Sequence, residues 1–62
     1  MCLSTVYKNE IDEANAIMNN VMIVECEGED ITLIDLMGRR CIFKGSLVKA
    51  NLTDGYVIVK AS

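Results

Sequence analysis

The sequence predicts an all-β fold: a small SH3-like β-barrel of short antiparallel strands, with residues 1–62 forming a single domain. Three observations predict it. Apolar residues recur with a period nearer two than 3.6 along most of the chain. Turn-forming residues, glycine above all, separate the apolar runs. The chain has only 62 residues, and closing a sheet this small on itself is the economical way to remove exposed strand edges.

The elements follow in order. Cys2 to Lys8 reads as a first strand, since Thr5, Val6 and Tyr7 are β-branched or aromatic. Residues 9–20 are ambiguous. Ile11, Ala14 and Met18 are spaced for one helical face, and Asp12 and Glu13 suit a first turn, yet Asn19-Asn20 leads straight into a strand and resembles a hairpin turn. A loop followed by a short strand is the favoured reading, and one helical turn there would leave the fold unchanged. Val21 to Glu27 is a strand, Gly28-Glu29-Asp30 a turn, Ile31 to Met37 the next strand and Gly38-Arg39 the next turn. Arg40 to Lys44 follows as a strand, and Gly45 permits a sharp bend or bulge. Leu47 to Leu52 is another short strand, Asp54-Gly55 a strong hairpin signal, and Tyr56 to Lys60 closes the sheet.

Several strands are apolar on both faces. Ile31 and Leu33 oppose Ile34 and Leu36, and Tyr56 and Ile58 oppose Val57 and Val59. One set fills a barrel and the other needs a cover, for which a second copy of the chain is the simplest candidate. The 52% hydrophobic content, with aromatic residues only 5% of the chain, supports this expectation of a homodimer. A monomer with a scattered apolar surface is the alternative.

A net charge of −3, from six basic and nine acidic residues, argues against a nucleic-acid partner. Arg39, Arg40 and Lys44 read as a solvated turn and strand edge. No apolar run reaches the roughly 18 to 20 residues of a membrane span, and the start lacks the pattern of a secretory signal. The expected location is cytoplasmic, where thiols stay reduced. The odd count of three Cys also disfavours a disulfide framework.

The familiar catalytic arrangements are missing. The chain has no His, and Gly28, Gly38, Gly45 and Gly55 form neither a P-loop nor a dinucleotide fingerprint. Glu25, Glu27, Glu29 and Asp30 lack calcium-loop spacing and read as a solvated, edge-protecting face. Cys26 and Cys41 fall inside apolar strands, where free Cys acts as a small buried hydrophobe, and no CxxC pair occurs. Cys2 differs because of its place. With Met1 retained, the terminal amine, the deprotonated Cys2 amide nitrogen and the Cys2 thiolate make two fused five-membered chelates, a planar set suited to Ni(II) or Cu(II). With Met1 removed, the Cys2 amine and thiolate make one chelate, and two copies would complete four ligands. Simple packing of Cys2 at a strand start is the competing reading.

The opening Met-Cys-Leu-Ser-Thr-Val-Tyr resembles the start of the CooT family of small nickel-binding proteins, associated with maturation of nickel-iron carbon monoxide dehydrogenase. The resemblance continues through Val21 to Asp30, Ile31 to Gly38 and Leu52 to Val59. It implies an SH3-like barrel, a homodimer, Cys2 as the essential Ni(II) ligand, and a chaperone or storage role that feeds nickel to the dehydrogenase. The chain lacks a His-rich tail, which disfavours bulk storage. A metal carrier that catalyses nothing is therefore the leading expectation. A small-barrel RNA-binding protein is the alternative, and a ligand-free dimerisation subunit a third.

Overall fold

The computed structural model describes residues 3–62. Strand β1 (Ser4–Lys8) leads through a 3-10 turn (Glu13–Asn15) into β2 (Ala16–Glu27), followed by β3 (Asp30–Asp35), β4 (Arg40–Asn51) and β5 (Tyr56–Ala61). Successive strands pair antiparallel, and β1 lies beside β5, so the sheet closes into a ring. The small all-β barrel expected from the sequence is what forms. One feature corrects that expectation: the β1–β5 seam, Thr5↔Tyr56 to Lys8↔Val59, is parallel. The cause is parity, since strands that alternate in direction bring the first and the fifth together pointing the same way.

Two long strands replace four short ones. β2 pairs with β1 through Ala16 and Met18, then with β3 from Ile23 to Glu27. Val21 faces Ser4 on one side and Asp35 on the other. Asn19-Asn20 is therefore no hairpin turn but an irregularity inside β2, where Asn20 takes φ 55°. Asn tolerates the left-handed region better than most residues, which serves a bulge as well as a turn. The preceding segment forms one helical turn, capped by Asp12, whose Oδ1 accepts from the Ala14 N–H at 2.9 Å.

β4 likewise changes partner. Arg40 to Lys44 pair with β3, and Gly45 to Asn51 pair with β5. Gly45 marks the crossing, is buried, and lies so close to β5 that a Cβ there would collide with the Lys60 carbonyl oxygen. The bend expected at this glycine is thus a close approach of two backbones.

The interior is filled by Val6, Val21, Ile31, Leu33, Val57 and Val59, all buried. Ile17, Met18, Val24, Cys41 and Phe43 pack around them. Each fully buried aliphatic side chain contributes about 1.5–3 kcal/mol relative to exposure. The sets that the period-two pattern separates take opposite faces: Ile31 and Leu33 point inward with Val57 and Val59, while Ile34, Tyr56 and Ile58 are half-buried on the outer face. Leu36 departs from its expected place in a strand: β3 stops at Asp35, and Leu36 and Met37 belong to the turn that follows.

Candidate metal centre

Cys2 and Met1, the residues expected to hold metal, lie outside the described residues. What the structure describes is how the chain is held from Leu3 onward. β1 is held on both sides from its first residue. Ser4 faces Val21 of β2, and the Thr5 N–H donates to the Gly55 carbonyl at 3.0 Å. The Leu3 carbonyl oxygen lies 3.3 Å from where a Gly55 Cβ would stand, so that turn wraps closely around the start of the chain. Cys2 is two residues from Ser4, and trans peptide geometry limits their Cα separation to about 7 Å.

Ser4 lines an apolar groove of about 570 Å³ shared by β1, β2, β4 and β5. Val21, Val24 and Val57 form its floor, and Met22, Leu47 and Leu52 stand exposed around it. Cys26 also lines this groove and is exposed, which corrects the expectation of a buried residue. It pairs with Ile31, itself a buried core residue, one step before the β2–β3 turn, and its own side chain opens onto the groove. Cys41 pairs with Leu33 near the middle of the sheet and packs against the core, half-buried. Cys26 and Cys41 flank β3 on opposite sides and are both free thiols.

Among the described residues, no group of three or more His, Cys, Asp or Glu side chains is arranged to hold a metal ion. Glu25, Glu27 and Glu29 are exposed, as a solvated face requires, and Asp30 pairs with Lys44 across β3 and β4 at 2.7 Å. No helix is long and apolar enough to cross a membrane among these residues.

A second site escaped the sequence reading. Asp35, buried at the end of β3, accepts at Oδ1 from the Met37 and Arg39 N–H groups, both at 2.9 Å, and at Oδ2 from Arg39 Nε at 2.8 Å. Burial pushes its carboxyl up, but the Arg39 hydrogen bonds and charge, with the Met37 N–H, more than offset this and hold it below the usual value. Asp at a strand end before a Gly-containing turn was the available signal. At the other hairpin, Lys49 Nζ sits 5.7 Å from the centre of the Tyr56 ring, and Asn51 Nδ2 donates to the Tyr56 hydroxyl at 3.4 Å.

The comparisons with known proteins bear on the whole chain. An uncharacterized protein of Methanocaldococcus jannaschii is 32% identical over 60 residues, covering 97% of this chain and 98% of its own. A crystal structure assigned to CooT from Carboxydothermus hydrogenoformans superposes with a TM-score of 0.84, covering 98% of each chain at 16% identity, and so shares the fold. The family model for the CO dehydrogenase accessory protein CooT matches residues 1–60, Met1 and Cys2 included. The chain therefore belongs to the CooT family of CO dehydrogenase accessory proteins.

Proposed function

We propose that this protein is a nickel carrier for maturation of nickel-iron carbon monoxide dehydrogenase or a related nickel enzyme, with Ni(II) held at Cys2. The observation that carries the reading is the family match, which runs from residue 1 and so takes in the Met1-Cys2 start. The chemistry of that start fits the cargo. A thiolate with adjacent amine and amide nitrogens is a planar, strong-field donor set of the kind Ni(II) prefers.

The surroundings favour handover over storage. Ser4 is pinned by two neighbouring strands, so the dipeptide ahead of Leu3 departs from a fixed point on the rim of an apolar groove. The barrel itself offers no competing cluster of ligands among the described residues. The protein acts as a carrier and catalyses no reaction, and it works in the cytoplasm.

The active form we propose is a homodimer. Met22, Leu47 and Leu52 are 44–67% exposed around the groove that Ser4 lines. Covering this rim with a second copy would bring two Cys2 residues into one neighbourhood and allow one metal to be shared.

A Ni(II) titration of wild type beside Cys2→Ser, under reducing conditions, tests the reading. Absorbance in the thiolate-to-nickel charge-transfer region should saturate in wild type and stay flat in the variant. A flat trace in both proteins would sink the nickel assignment.

A further inference from the structure

We propose that the β3–β4 turn, Leu36 to Arg40, is a preformed docking knob for an acidic, apolar segment of a partner protein. The proposal rests on three observations about this turn.

The first is exposure. Leu36 is 54% and Met37 76% exposed, at the tip of a turn rather than against another strand. The second is rigidity. The Leu36 N–H donates to the Asn20 carbonyl at 2.8 Å and the Gly38 N–H to the Asp35 carbonyl at 2.9 Å. The Asp35 carboxylate takes the Met37 and Arg39 N–H groups. Large apolar side chains are thus held in solvent by a hydrogen-bonded backbone, and a turn already ordered loses little entropy when it docks.

The third is charge. Arg39 and Arg40 are the only adjacent pair of basic residues in a chain of net charge −3. Asp35 engages only Arg39 Nε, leaving the rest of that guanidinium outward. Among the described residues, Arg40 has no carboxylate partner, whereas Lys44 is paired with Asp30. The other acidic residues fall in segments 10–13 and 25–30 and at position 54, away from this turn in sequence. A polar recess of about 560 Å³ beside the turn is lined by Asn19, Asn20, Arg39 and Arg40, with Ile17, Met18 and the Arg39-paired Asp35 also on its wall. Guanidinium groups bind carboxylates in pairs of parallel hydrogen bonds, and Asn amides can add donors.

A protein segment fits this surface better than RNA does. Leu36 and Met37 offer apolar contact but no aromatic surface on which bases could stack.

The test follows amide resonances of the isotope-labelled protein, at low salt, during titration with a synthetic peptide of alternating Leu and Glu. Shifts should concentrate at residues 36–40 and at Asn19 and Asn20. Arg40→Glu, at an exposed position, should weaken binding by about tenfold or more while leaving the remaining spectrum folded. A Leu/Gln peptide should bind about as poorly. The proposal is overturned if no shifts occur at millimolar peptide, if the Gln peptide or Arg40→Glu binds equally well, or if oligouridylate binds in preference. It is also overturned if the same resonances move with protein concentration alone, which would make the occupant a second copy.

Discussion

Asp35 and Arg39 are joined by a 2.8 Å ion pair whose two ends lie in different media: the Asp35 side chain is 3% exposed and that of Arg39 76%. The carboxylate is therefore stabilised from outside the core, by a solvated cation and by the backbone of the turn. Its companion contacts to the Met37 and Arg39 N–H groups make it the fastener between the end of β3 and the start of β4.

That arrangement fixes a pH dependence. The folded-state acidity of Asp35 is raised, its pKa lying below the ordinary 3.8. Its contribution is thus fully present above the unfolded value and lost as pH falls through the folded one. Melting temperature should drop as pH is lowered past about 4, and Asp35→Asn should flatten that part of the profile while lowering the melting temperature at neutral pH. Thermal scans of both proteins from pH 2 to 7 check it; parallel profiles would contradict it.

Gly45 gives the sharpest steric prediction. A Cβ there would collide with the Lys60 carbonyl oxygen and sit 2.8 Å from Phe43 Cε2. One of these neighbours is backbone and cannot swing aside. Gly45→Ala should cost at least the 1–3 kcal/mol typical of overpacking, read by urea denaturation. A loss under about 0.5 kcal/mol would mean that β4 and β5 separate easily.

Asn20 carries a different constraint. At φ 55° within β2, it is where the strand bends from β1 towards β3. Asn20→Gly should be nearly neutral, whereas Asn20→Val should lose about 1–2 kcal/mol, because a β-branched residue resists the left-handed region. Equal stability of the two variants would show that backbone strain is not the deciding factor.

These residues also explain what the sequence revealed and what it hid. Period-two patterning separated Ile31 and Leu33 from Ile34, and Val57 and Val59 from Tyr56 and Ile58, but only the structure shows that the first of each pair of sets faces inward. Gly45 marked a bend for the same reason that it is needed. Asn19-Asn20 misled, since a left-handed residue looks alike in a hairpin and in a bulge, and only the partners of β2 decide between them. Cys26 misled because a place in an apolar strand, even opposite the buried Ile31, does not show that a groove opens beside it. Asp35 went unnoticed although an Asp before a Gly-containing turn was a signal, because two of its three hydrogen-bond partners are backbone N–H groups rather than a side-chain pattern. The expectation at Cys2 rests on donor chemistry and on resemblance, and its residues lie outside those described.

The two described cysteines should differ in reactivity. Cys26 is exposed at the groove, while Cys41 packs against the core. In a Cys2→Ser background, native protein should react with a thiol reagent such as iodoacetamide faster at Cys26 than at Cys41, with denaturant equalising the rates. Peptide mass mapping after partial labelling reads the order. Faster labelling of Cys41 would mean that the groove is covered in solution, as a dimer across that rim would bring about.

The donor set proposed at the chain start makes its own prediction about protons. A free thiol titrates near 8.5, and binding metal through thiolate, amine and amide nitrogen displaces protons from each. Nickel affinity should therefore fall steeply with acid, by about tenfold per pH unit for each proton displaced. Extending the chain by Gly-Ser ahead of Met1 converts the terminal amine into an amide and leaves the Cys2 thiol intact. If the amine is a ligand, the extended protein should bind Ni(II) more weakly and release fewer protons, read by competition with a chelator and by pH change in unbuffered solution. If it binds as well as the original chain, with the same proton count, the thiolate works without the terminus. The metal would then have to be completed by other donors, such as a second copy's Cys2.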